Sequence, residues 1–166
     1  MGKGGGKSDI LVSTSIRGPT FSSDLVANTS YTLGGTRSYT VTSPHLDHYS
    51  DSGNTVLDKP ILNVYEEGNS IGWSITAQRG ILDGKRVITL YDNVVATNFL
   101  TDPVFYSIKT KRLSIDLVKK DFWTDSAVFL TGPQFNALSQ AMRGNFIIQE
   151  AKLCDHVQIE YETLFS

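Results

Sequence analysis

The chain has 166 residues, 40% hydrophobic and 19% charged, which is enough apolar material for one core and excludes wholesale disorder. Fifteen Lys and Arg against 17 Asp and Glu give a formal charge of −2, which argues against a protein that coats nucleic-acid phosphates. A single cysteine, Cys154, excludes an intramolecular disulfide and a CxxC metal site and suits an intracellular setting.

Residues 1–9 read as a flexible Gly/Lys arm and residues 10–166 as one β-rich domain. In the arm, Gly6-Lys7-Ser8 matches the end of a phosphate loop, but the leading glycine of that motif would fall on Met1, with no strand before it. Two readings of the arm stay open: acylation at Gly2, with Lys3 and Lys7 near an anionic surface, or a solvated tail. No apolar run reaches the roughly 18 residues of a spanning helix, and no secretory signal is recognisable, so neither a membrane crossing nor secretion is expected. Asn28-Thr29-Ser30 matches a glycosylation acceptor but reads as a loop or strand edge.

Period-two alternation broken by turn residues predicts a mainly β protein, an antiparallel sheet or sandwich, with one short helix near the C-terminus and α+β as the alternative class. Ile10–Ile16 and Arg37–Ser43 read as strands, the second preceded by the turn-like Leu33-Gly34-Gly35-Thr36. The polar stretch Ser43–Lys59 reads as a mobile loop. Ile61–Tyr65 is a predicted strand, and Glu66-Glu67-Gly68-Asn69 a solvated turn. Ser70–Leu82 and Lys85–Tyr91 flank Asp83-Gly84, predicted to make a two-residue type I′ hairpin. Val104–Thr110 and Arg112–Val118 follow as strands. Thr131-Gly132-Pro133-Gln134 resembles a helix start, and Phe135, Leu138 and Met142 recur at helical spacing, so a helix is predicted over Pro133–Arg143. Phe146–Leu153 and His156–Phe165 read as closing strands.

No catalytic grouping emerges. His45, His48 and His156 lack a nucleophile signature, His45-x-Asp47-His48 lacks a full metal ligand set, and Cys154 with His156 reads as a structural pair. No enzyme activity, cofactor, metal or small-molecule substrate is expected. Lys109, Lys111, Arg112, Lys119 and Lys120 form a cationic group near Tyr106, Phe122 and Trp123, suited to anionic lipid headgroups or to stacked single-stranded bases, or left as a solvated face. Tyr161-Glu162-Thr163-Leu164 has the YxxL form of sorting and budding peptides, with Tyr161 and Leu164 as its anchors, although an alternating terminal strand also produces it.

In overall layout the chain resembles the short matrix proteins of negative-strand RNA viruses, of bornavirus and plant rhabdovirus type: a short chain, a β-rich body over Ile61–Val118 and a late helix around Phe135–Met142 followed by strands. The arm and the YxxL form suit that resemblance, whereas the slight acidity and the lack of PPxY and PTAP-like motifs depart from it. The resemblance implies a self-associating, non-enzymatic structural protein, peripherally bound to a membrane's inner face and active in assembly or budding. Its implied partners are further copies of itself, anionic lipid, viral nucleoprotein and host sorting machinery, and its implied location is the virion and host cytoplasm. A small viral coat protein and a single-strand nucleic-acid binder are the alternatives.

Overall fold

The computed structural model describes residues 18–68 and 70–161. Its fourteen strands are all in one antiparallel sheet, and among the described residues there is no helix. They are β1 (Phe21–Tyr31), β2 (Arg37–Tyr49), β3 (Asn54–Asp58), β4 (Ile61–Gly68), β5 (Ser70–Thr76), β6 (Arg79–Leu82), β7 (Val87–Asn98), β8 (Ser107–Asp116), β9 (Asp121–Thr124), β10 (Val128–Gly132), β11 (Phe135–Ser139), β12 (Ala141–Asn145), β13 (Glu150–Cys154) and β14 (Gln158–Tyr161). The register shows that several of these are halves of longer passes. β3 and β4 pair with successive halves of β2, β6 and β5 with successive halves of β7, and β9 and β10 with successive halves of β8. The chain is therefore an up-and-down meander whose passes all bend near their middles, so that one sheet folds over on itself as two facing half-sheets.

Backbone chemistry makes the bend. Leu25, Lys59, Asp92, Asn93, Asp155 and His156 have φ between 42° and 66°, a left-handed conformation that interrupts a ladder, and each lies where one half-strand gives way to the next. The interruption frees carbonyls inside the fold, and buried hydroxyls take them up. Ser43 Oγ donates to the Asp58 carbonyl at 2.5 Å, Thr110 Oγ1 to that of Ala127 at 2.9 Å and Ser139 Oγ to that of Cys154 at 2.6 Å. All three serve the rule that a buried carbonyl must be paired.

The core lies between the half-sheets. One row of inward side chains runs across the register as Val41, Leu62, Ile75, Ala96, Ile108, Leu130 and Ala137, all buried. A second, beyond the bend, contains Leu57, Gly80, Leu90 and Leu113. Where two bulky neighbours would collide, glycine takes the place: a Cβ on Gly144 would stand 2.3 Å from the Phe122 ring and 2.2 Å from the Glu150 carbonyl oxygen.

Several expectations need correcting. The helix predicted over Pro133–Arg143 is the β11–β12 pass. Pro133 and Gln134 form the tight turn after β10, Gln134 having φ 64°, and pairing with β10 overrides the spacing of Phe135, Leu138 and Met142. The loop predicted over Ser43–Lys59 is mostly strand, because β2 is paired on both sides there, with β1 and β3, and only residues 50–53 turn. The hairpin at Asp83-Gly84 exists, but its turn is longer: the Asp83 carboxylate accepts from the amides of Lys85 and Val87, and Arg86 takes the positive φ. The predicted strand Ile10–Ile16 and the arm lie outside the described residues, while β1, which the sequence reading missed, pairs with nearly all of β2.

Candidate functional site

Apolar side chains fill the space between the half-sheets, with large aromatics toward the mouth opposite the bend. Trp73 of β5 lies 5.3 Å from Phe105 and 4.9 Å from Phe146, which in turn lies 4.4 Å from Phe122. These tilted contacts join both half-sheets, since Trp73 belongs to one and Phe122 to the other. The Trp73 Nε1 proton is buried and has no hydrogen-bond partner among the described residues, an orphan donor inside an otherwise apolar interior.

Two polar contacts close the mouth. Lys120 sits in the turn after β8 and is 5% exposed. Its Nζ donates to Ser38 Oγ at 2.7 Å, across the mouth on β2, and to the Leu117 carbonyl at 2.6 Å, and it lies 5.2 Å from the Tyr39 ring centroid. Burial pushes this ammonium below the usual lysine range, opposed by the charge of Asp116. On the other flank, Gln149 Oε1 accepts from Asn98 Nδ2 at 3.1 Å and from the Val104 amide at 3.2 Å.

Among the described residues the sheet does not close into a barrel, so its first and last described strands have open edges. At the last edge the inward row continues from Ala137 to Ile159, and the neighbouring row from Phe135 to Tyr161. Here the inward residues lose their cover: Ile159 is 49% and Tyr161 74% exposed. A groove of about 790 Å³ runs beside them, lined in part by Tyr106, Pro133, Phe135 and Glu160. The apolar interior thus reaches the surface along β14.

The first edge is β1, exposed along most of its length. Besides the ladder and the stacking of Phe21 on His48, an outward cluster holds it: His45 Nδ1 lies 2.5 Å from Asp24 Oδ1, His45 Nε2 lies 3.0 Å from Asp47 Oδ1, and Ser22 Oγ donates to the same Asp47 oxygen at 2.5 Å. The Asp24 hydrogen bond, then that to Asp47, raises the His45 pKa, and the Ser22 and His45 bonds lower that of Asp47. An apolar hollow of about 370 Å³ lies beside it, between Leu25, Val26, Pro44 and Ile61.

The residues singled out from sequence are scattered. Lys109, Lys111, Arg112 and Lys119 are exposed, with Arg112 placed 5.7 Å from the Tyr91 ring centroid, whereas Lys120 turns inward to the mouth. Phe122 is core and Trp123 half-buried, so Tyr106, Phe122 and Trp123 form no shared stacking face. His48 contacts Thr55 and stacks on Phe21, apart from the partners of His45, and no metal-binding cluster occurs among the described residues. Tyr161 lies on β14; Gly2, Lys3, Lys7 and Leu164 lie outside the described residues. Sequence reading missed the mouth residues Ser38 and Gln149 and the bend hydroxyls; the signal for the latter was a Ser or Thr interrupting an otherwise apolar inward row.

The family model described as "Lipopolysaccharide-assembly, LptC-related" matches residues 5–162. The chain is similar to the lipopolysaccharide export system protein LptC of Escherichia coli K12, with 29% identity over 144 residues that cover 87% of this chain and 75% of that protein. The LptC of Shigella flexneri matches over the same shares with the same identity. The fold is similar to that of LptH of Pseudomonas aeruginosa, whose crystal structure is described as the LptA-homologous periplasmic component of the conserved lipopolysaccharide transport device. The TM-score is 0.58 at 7% identity, over 75% of this chain and 95% of that one.

These findings overturn the resemblance to viral matrix proteins. With it go budding, the virion, the host cytoplasm and the inner face of a host membrane as locations, viral nucleoprotein and host sorting machinery as partners, and the coat-protein and single-strand-binder alternatives. The layout behind that resemblance is common to antiparallel β folds at large. A family match running over residues 5–162 shows instead that this chain belongs to the LptC-related lipopolysaccharide-assembly family.

Proposed function

We propose that this protein is a lipopolysaccharide carrier of the bacterial envelope, which takes the lipid's acyl chains between its two half-sheets and passes them on along an open sheet edge to another export component. The observation that carries this reading is the apolar inward row that runs through one half-sheet from β2 to β14 and emerges, with Ile159 and Tyr161 largely uncovered, at the edge. Acyl chains need a continuous apolar surface screened from water, and burial of each methylene contributes about 0.8 kcal/mol. An inward row with an open end supplies the surface and the exit. The names of its relatives support the same cargo: an export system protein and a component of a transport device for lipopolysaccharide. The open β14 edge presents unpaired backbone groups to a partner strand, so the next component would add its own strand there and extend the row. The role is binding and transfer rather than bond-making chemistry.

The test is site-specific photocrosslinking with lipopolysaccharide. A photoreactive residue at Ile159 or Tyr161 is expected to capture the lipid, and one at Lys109, on the outward side of β8, is not. Equal labelling at the inward and outward positions would remove the reading.

A further inference from the structure

The carrier reading leaves a physical difficulty. Leu62, Ile75, Ile88, Leu90, Ile108 and Leu113 are wholly buried, so the space between the half-sheets is already filled. A chain can enter only where the half-sheets part, and they are joined covalently along the bend, so parting must begin at the mouth. Lys120 comes from the turn between β8 and β9 of one half-sheet and reaches Ser38 and Tyr39 at the start of β2 in the other, 82 positions away in sequence. Its turn is firmly built into its own half: Asp116 Oδ1 accepts from the amides of Val118 and Lys119, the Leu117 amide donates to the Arg86 carbonyl, and Asn145 Nδ2 donates to the Lys119 carbonyl. On the far side β2 is irregular at that point, its register shifting between Arg37 and Tyr39. A rigid turn thus carries one long side chain across to a strand end.

We propose that Lys120 is the latch of the lipid-binding interior: its ammonium ties the two half-sheets at the mouth, and its release from Ser38 and the face of Tyr39 admits the acyl chains. The chemistry suits a contact made to be broken. Nζ donates to neutral oxygens, one across the mouth on Ser38 and two carbonyls of its own turn, and lies over an aromatic face, so parting breaks one hydrogen bond and returns a charge to water, whereas a buried ion pair would leave two unpaired charges. An opened mouth also uncovers Trp73, whose indole proton has no partner among the described residues in the closed state. This inference rests on the carrier reading for its cargo, but the latch itself is tested without lipid.

Trp73 is the reporter. In a Trp123→Phe background it is the remaining tryptophan, and Lys120→Met keeps the apolar stem while removing the ammonium. Acrylamide quenching of Trp73 is expected to rise in Lys120→Met, with a red shift of its emission, while far-UV circular dichroism stays that of the parent. Ser38→Ala, at a partly buried position, is expected to move the same readout in the same direction to a smaller extent. Unchanged quenching in a folded Lys120→Met protein, or in Ser38→Ala should Lys120→Met fail to fold, would overturn the latch. Purified lipopolysaccharide is then added: faster uptake by Lys120→Met than by its parent is expected, and equal uptake despite raised quenching would likewise overturn the latch as a control on entry. Raised quenching with no uptake by either protein would leave the mouth contact standing and reject the carrier reading instead.

Discussion

His45 is bonded to one carboxylate from β1 and to one from its own strand, so its protonation decides how strongly β1 is held. Because its pKa is raised above the ordinary 6.5, its contribution is complete below that pH and is lost as pH rises through the higher native value. Asp47 works in the opposite sense. Its pKa is lowered from 3.8, so its share is present above 3.8 and is lost as pH falls through the lower native value. Both contributions therefore overlap between about pH 3.8 and 6.5. Asp24 and Asp47 face the imidazole directly, and Asp58 lies opposite it in the β2–β3 register. Amide exchange over Phe21–Tyr31, corrected for intrinsic rates, should show stronger protection at pH 5.5 than at pH 8, and His45→Gln should abolish the difference. A pH-independent wild-type profile would show that the ladder alone holds the strand. None of this was legible in His45-x-Asp47-His48 as a motif, because the decisive partners, Ser22 and Asp24, come from another strand.

Strands that break at their middles need a device to satisfy the carbonyls set free, and Ser43, Thr110 and Ser139 provide it in three separate passes. Ser139 is completely buried, so Ser139→Ala would leave the Cys154 carbonyl without its donor. The expected loss is about 1–3 kcal/mol of stability, read as a lower midpoint in denaturant with an unchanged slope. The same device explains two misread stretches. Ser43-Pro44 looks like the start of a loop and Ser139-Gln140 like the middle of a polar-faced helix; each is in fact the corner of a bent strand whose two halves pair with different partners. Period-two alternation survived in part in β8, where Leu113 and Ile115 are buried and Arg112 is exposed, although the strand predicted over Arg112–Val118 ends at Asp116 and is continuous with the one before it. It failed in β1, whose side chains are exposed on both faces and so carry no pattern.

Folding one meander back on itself makes the molecule depend on contacts that span the mouth. Phe146 is the clearest, since it is buried against both Trp73 and Phe122. Phe146→Ala should cost about 3–5 kcal/mol, because the lost transfer energy adds to a cavity between two sheets that share a covalent hinge and cannot collapse freely. Equilibrium unfolding followed by Trp73 emission and by circular dichroism should give coincident transitions at a lower midpoint. A loss below about 1 kcal/mol would mean that the half-sheets are held by the bend alone.

Local chemistry settled what each stretch of chain could be. The abundance of alternating apolar residues and the place of the hairpin at Asp83-Gly84, though not the length of its turn, were readable as they stood, and they led to a mainly β protein. Tertiary structure decided the rest. Whether Lys120 is a surface cation or a bridge across a mouth depends on where β2 lies, 82 residues away. Whether Ile159 and Tyr161 are ordinary strand residues or the open end of an apolar row depends on there being no further strand among the described residues to cover them. Both are properties of long-range pairing, and a side chain's burial is set by its neighbours in space, about which its neighbours in sequence say little.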